Sequence, residues 1–174
     1  TRGCGKADQR PLELFRMQMS HDETNKEISV MKWVTRSHVH VDRVACPWLI
    51  KRFIDSEAEF LFVPRSQVTS VAEREGGLSF DSPGADFDHE GDLCTFDVMI
   101  RRYELTDKAL LRLAGIVNAA DTRRPEKDIL AAGFEAIAVG YGLRFPDDRK
   151  NLEKQFEVYD ALYAWCSVQV AKES

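Results

Sequence analysis

Residues 33–63 read WVTRSHVHVDRVACPWLIKRFIDSEAEFLFV, and the order of patterns in this stretch decides the fold. A short β-branched and aromatic run from residue 31 to 36 predicts a strand, and an apolar periodic run over 43–54 predicts a helix. EFLFV at 59–63 predicts a second strand. A strand, a helix and a strand in this order favour a parallel pair joined by a right-handed crossover. Polar groups stand where the first strand hands over to the helix: Asp42, Arg43 and Cys46, with Pro47 expected in the helix's first turn or so, where a missing N–H costs least.

Further along, residues 66–75 predict another helix, ended by Gly76 and Gly77. The segments LSF and ADFDH, on either side of the turn-forming DSPG, predict two short strands. From residue 95 onward the pattern is helical, near 95–104, 107–120, 128–142 and 148–171. Thr106 and Asp107 are suited to capping the second of these. In the last, Leu152, Phe156, Tyr159, Tyr163, Cys166 and Val170 recur at steps of four and three, a stripe that faces either a core or a partner helix in a homodimer. Tyr159, Tyr163 and Trp165 read as packing. The expectation is a single α/β (α+β) domain over 31–174, a small N-terminal βαβ-type sheet followed by a predominantly helical C-terminal half. Residues 1–30, rich in Gln, Glu, Asp, Ser and Lys with a short apolar cluster at Leu12, Leu14 and Phe15, read as an extension or linker, and Met31 as the start of the domain proper.

The 174 residues are 44% hydrophobic and 30% charged, the profile of an ordinary globular chain. A net charge of −5 argues against nucleic acid as a partner, because a phosphate backbone needs a basic footprint. Local arginines can still hold a small anion. Cys4, Cys46, Cys94 and Cys166 form no CxxC pair, so neither a zinc knuckle nor a disulfide framework is indicated, and reduced thiols in the cytoplasm are expected. No export signal and no apolar run of about 20 residues is seen, so no membrane partner is expected.

Cys46, near a helix N-terminus and close to Arg43, is a candidate for a lowered thiol pKa; the bland alternative is a small core residue. Asp42 is either a site carboxylate or a helix cap. His38 and His40 share one side of a strand but HxH alone is a weak signal. His89, among Asp86, Asp88, Glu90 and Asp92, suits a divalent cation such as Mn, Fe or Zn, with a solvated acidic turn as the alternative. Asp121 prolongs the apolar face of Leu110, Leu113, Ala114 and Val117 at the unfavourable end of a helix dipole; either Arg123 and Arg124 or a bound cation would compensate it. Asp97 in CTFD lies in a helix's first turn, where a carboxylate is favourable for structural reasons alone.

WVTR, DRVACPWLIKRFID, AEFLFVP, the His89 region through CTFD, IVNAADT and YDALYAWC together resemble the chromate resistance proteins, specifically the C-terminal domain of the chromate resistance protein B type. The likeness runs from about residue 32 to 167. It implies a cytoplasmic accessory or sensor protein in chromate resistance; a small anion such as chromate as its partner would suit guanidinium and helix N-terminal N–H donors, with Arg36 and Arg43 as the oxyanion-binding candidates. It carries over Asp42, Arg43, Cys46, His89, Asp97 and Asp121. The alternative within it is a metal-dependent redox enzyme, with His89, Asp121 and Asp42 holding iron, manganese or zinc and Cys46 and Asp97 as catalytic residues. The loop SHVHV departs from the basic, proline-containing stretch usual in the family, so His38 and His40 are not carried over. Asp88 beside His89 makes that turn more acidic than usual.

Overall fold

The computed structural model describes residues 30–173, so the reading of the preceding segment, with Leu12, Leu14 and Phe15, lies outside the described residues. Strand β1 (Lys32–Arg36) is the middle of a three-stranded parallel sheet, with β2 (Glu59–Val63) on one side and β3 (Leu78–Ser79) on the other. Trp33 is paired with Phe60 and with Leu78. Side chains alternate across the sheet. Trp33, Phe60 and Leu78 join the main core, while Val34 packs with Leu61 and Val63 in a smaller cluster on the opposite face.

The two crossovers therefore bury their helices on opposite faces. Helix α1 (Val41–Leu49) lies on the main core, and α2 (Val68–Glu75) closes the smaller cluster with Val68, Val71 and Ala72. β1 leads to a neighbour on one side and the chain then returns past it to β3, so the carboxyl ends of β1 and β3 flank a point where the strand order reverses. Open parallel sheets place their sites there.

α1 begins two residues before the expected start, at Val41, which puts Pro47 inside the helix rather than in its first turn. Proline there removes one backbone donor and crowds the preceding turn. The helix continues as a π-helical turn over Ile50–Ile54, a widening of the kind that absorbs such a defect. Of the two short strands expected around DSPG, the first is β3; the second is reduced to a single parallel bridge between Phe80 and Phe87. The polar contacts of Ser79 with Asp86 fold that loop on itself, leaving no room for a longer ladder.

The rest is helical as expected: α3 (Thr95–Arg102), α4 (Lys108–Asp121), α5 (Ala131–Arg144) and α6 (Asp148–Lys172). Asp107 caps α4 by accepting the Leu110 N–H at 2.7 Å. The stripe on α6 is used within the chain: Leu152, Tyr159 and Cys166 are buried, and Phe156, Tyr163 and Val170 pack against the same core. The Tyr159 hydroxyl donates to the Val41 carbonyl at 2.7 Å, tying the last helix to the first turn of α1. Among the described residues no helix is long and apolar enough to cross a membrane.

Gly77 shows how tightly the sheet edge is packed, because a Cβ there would stand 2.3 Å from the Lys32 carbonyl oxygen. Backbone cannot retreat as a flexible side chain can. Gly77→Ala is expected to destabilise the domain by about 2 kcal/mol, measured by urea denaturation, and a change within the scatter of surface substitutions would contradict this packing.

Candidate functional site

Three helix ends and one loop meet beside the carboxyl ends of β1 and β3. Asp42, in the first turn of α1, is buried at 1% exposure. Its Oδ2 accepts the Thr95 N–H at 2.7 Å and its Oδ1 the Phe96 N–H at 3.0 Å. A carboxylate thus occupies the positive end of α3, where unpaired backbone donors favour an anion. In turn, the Asp42 N–H donates to Asp121 Oδ1 at 3.3 Å, so the carboxylate ending α4 caps the start of α1.

Asp121 is consequently not compensated by the arginines that follow it. Arg123 is turned to Glu135 at 3.4 Å and Arg124 to Asp92 at 3.0 Å. What faces Asp121 besides the α1 backbone is His89, whose Nε2 lies 3.4 Å from Asp121 Oδ2, 3.4 Å from Asp42 Oδ2 and 3.4 Å from Asp81 Oδ1. The imidazole is 38% exposed while the Asp42 and Asp81 side chains beneath it are 1% and 4% exposed, so His89 is the route from solvent to a buried acidic floor.

The electrostatics follow from that crowding. The Asp42 and Asp81 carboxylates beside the ring, with Asp121 behind them, outweigh partial burial and raise the His89 imidazolium to about 10. Burial, reinforced by the charges of Asp42 and Asp81, raises the Asp121 carboxyl to about 7. Burial also works against Asp81, but the neighbouring His89 and the guanidiniums of Arg43 and Arg36 outweigh it and keep that carboxyl below its ordinary value.

These shifts set a pH dependence for the metal-free protein. The folded state keeps its His89 proton longer than the unfolded chain. That contribution is complete below 6.5 and is lost as pH rises through about 10. Asp121 acts in the same sense across its own interval, from 3.8 to about 7. Urea midpoints in the presence of a chelator are expected to fall between pH 6.5 and about 9.5, and the alkaline part of the fall is expected to vanish in His89→Gln; a flat parent profile would contradict the geometry.

Several sequence expectations change here. Cys46 is fully buried, its Sγ 3.7 Å from Asp42 Oδ1, and burial followed by the charge of Asp42 raises its thiol well above the ordinary value. Of the two readings of Cys46, the small core residue holds and the lowered pKa does not, because the thiol is buried and faces the Asp42 carboxylate. Asp97 does not join the cluster around His89. It accepts the Cys94 N–H at 3.2 Å and the Asn118 amide at 2.6 Å, which ties α3 to α4. Neither His38 nor His40 contributes: the His38 N–H donates to Asp148, and His40 precedes α1.

Arg43 and Arg36 both turn to Asp81 Oδ2, at 2.9 and 3.6 Å, and Arg43 also donates to the His38 carbonyl. Each guanidinium nevertheless keeps a buried Nε without a hydrogen-bond partner. Asp81 and Thr95 are the members that sequence reasoning missed. Asp81 was hidden in the DSPG turn, and Thr95 acts partly through its backbone, which no residue type announces.

Asp42, His89 and Asp121 each offer one ligand atom within 4.8 Å of the others, a spacing that donors around a single divalent ion adopt. A separate cleft of about 490 Å³, lined by Leu61, Phe62, Val63, Arg74 and Arg149 among others, contains none of the candidate residues.

A family model described as ChrB, C-terminal domain, matches residues 33–166, a span that includes all of these groups. The chain belongs to the ChrB C-terminal domain family. The resemblance carried by DRVACPWLIKRFID and YDALYAWC is thereby shown. Protein ChrB of Cupriavidus metallidurans is 40% identical over 134 residues, which cover 76% of this chain. The matched part is 40% of that relative's length. No solved structure matches the chain.

Proposed function

We propose that this ChrB-type domain serves chromate resistance in the cytoplasm through a divalent-cation centre, with Asp42, His89 and Asp121 as ligands and iron, manganese or zinc as the occupant. The observation that carries the reading is the convergence of these three groups, from α1, the loop after β3 and the end of α4, to within 4.8 Å. Ligands about 2.1 Å from one ion stand about 3.0 to 3.4 Å from their neighbours, so the 3.4 Å separations from His89 Nε2 suit ligand edges better than charge-assisted hydrogen bonds, which run shorter. One imidazole N–H cannot be aimed at Asp42 and Asp121 at once, whereas a cation among the three groups is shared by both carboxylates.

Three protein ligands leave coordination positions for water or a small anion. Iron or manganese would add electron transfer, which makes the domain a redox enzyme in detoxification; zinc would leave it a binding or sensing module. Elemental analysis of protein purified without a chelating tag is expected to find close to one of these metals per chain. A metal-free preparation that gains no thermal stability from added Mn, Fe or Zn would overturn the reading.

A second reading, an oxyanion seat at Arg36 and Arg43, is supported by their unpartnered Nε groups at the switch point of the sheet. A tetrahedral dianion would have to compete with Asp81 for the guanidiniums. No binding of chromate or sulfate at near-physiological salt, with Arg43→Ala indistinguishable from the parent, would remove it.

A further inference from the structure

We infer that the outward face of α5 is a dimer interface, where a second copy of this chain packs its own α5 antiparallel across a two-fold axis.

Along α5 only Glu135 and Arg144 are charged, and the rest is alanine, glycine and larger apolar residues. A helix that is apolar around its whole circumference is ordinarily covered on all sides. This one is covered on one side alone. Ala131, Phe134 and Ala138 are buried, with the Phe134 ring 5.2 Å from that of Tyr159. At about 100° per residue the opposite side presents Ala132, Gly133, Ala136, Gly140 and Leu143, all of them exposed. Leu143 at 82% exposure, and Ile129 just before the helix at 91%, are the most exposed large apolar side chains among the described residues.

Two glycines on this face point the same way. Glycine inside a helix is destabilising and is kept where another backbone must come close. A Cβ at Gly133 or at Gly140 would meet nothing within 4 Å, so packing among the described residues requires neither. A helix approaching from outside the chain would require both.

Three features fit a second copy as that helix. In a two-fold contact each residue near the axis meets its own image, so a charge there repels itself. The outward side from Ala136 to Gly140 carries none, Glu135 being turned to Arg123. Across an axis midway between Ala136 and Gly140, the two copies of Arg144 stand about 18 Å apart along the helix direction. Shape agrees with charge: the middle of the face is small, and an antiparallel copy sets Leu143 of each chain over Gly133 of the other, twice by symmetry. The opposed directions also bring each positive helix N-terminus beside the other's negative C-terminus. Finally, the exposed apolar surface is on the order of 500 Å² per chain, the upper range for a monomer, and pairing would bury on the order of 1,000 Å² in all, where specific interfaces begin.

Sedimentation equilibrium of the full chain is expected to show a monomer–dimer equilibrium in the micromolar range. Leu143→Glu is expected to raise the dimer dissociation constant at least about 100-fold. Its side chain stands in solvent in the monomer, so circular dichroism should match the parent. Gly140→Arg, which sets like charges beside the axis in otherwise open space, is expected to have the same effect. Arg74→Gln, on α2 at the far side of the sheet, changes the net charge as much as Leu143→Glu and is expected to leave the equilibrium as it was. A parent that stays monomeric at every concentration, or a dimer that Leu143→Glu or Gly140→Arg leaves intact, would overturn the inference. An equal loss in Arg74→Gln would assign the effect to net charge and overturn it as well.

Discussion

His89→Ala is expected to lower the affinity for Mn²⁺ by at least about 100-fold, because loss of a group that merely orients a ligand already costs about 10- to 100-fold. The measurement is thermal denaturation with and without Mn²⁺. At a concentration 100 times Kd, a bound cation stabilises the parent by about 2.7 kcal/mol, which raises Tm by roughly 5 to 10 °C in a chain of this size. The variant is expected to show no such rise. Its fold should survive, since His89 lies at the opening of the site rather than beneath it, with 38% of its side chain exposed. An equal rise in parent and variant would remove His89 from the ligand set and with it the proposed centre.

Asp42→Ala is expected to act on the fold as well as on the centre. The carboxylate satisfies two backbone donors of α3, at 2.7 and 3.0 Å, both buried. Hydrogen bonds to a charged group contribute about 1.5 to 3 kcal/mol each, and removing the acceptor strands the donors. Part of that loss is offset by relief of repulsion from Asp121 and Asp81, which crowd the same space. A net destabilisation of about 3 kcal/mol is expected, seen as a lower urea midpoint with an unchanged slope. Asp42→Asn, which keeps one acceptor, should lose less. A variant within about 0.5 kcal/mol of the parent would mean that Asp42 does not hold α3 in place.

The legible part of this protein was the part written in periodicity and in local clustering of chemical types. The parallel β1 and β2, their crossover helix and the helical half follow from runs of apolar residues whose spacing survives folding. Asp42, His89 and Asp121 were readable one at a time: a carboxylate at a strand-to-helix junction, a histidine in an acidic turn, and an aspartate at the wrong end of a helix dipole. Their meeting was not written in any window of sequence, because 79 positions separate Asp42 from Asp121. Asp81 was illegible for a different reason, since a turn-forming composition explains an aspartate without any further role. For Cys46 the sequence left two readings open, because proximity to a helix start and an arginine says nothing about depth; Arg43 is spent on Asp81, and the thiol is sealed among core residues, as its bland reading had it. Pro47 misled for the same local reason, as its preference for a first turn could not reveal that the helix starts earlier.

The relay of caps from α4 to α1 and from α1 to α3 also bears on the order in which the chain acquires its parts. Asp42 depends on donors 53 and 54 positions away, and its own N–H on an acceptor 79 positions away. Contacts of such separation form only after the intervening chain has closed, which places them late among folding events. A nascent or truncated chain that ends before α4 can build the sheet's first crossover yet has no Asp121 to offer. On the cation reading proposed above, the full ligand set exists only in a chain that has docked its helical half against its sheet.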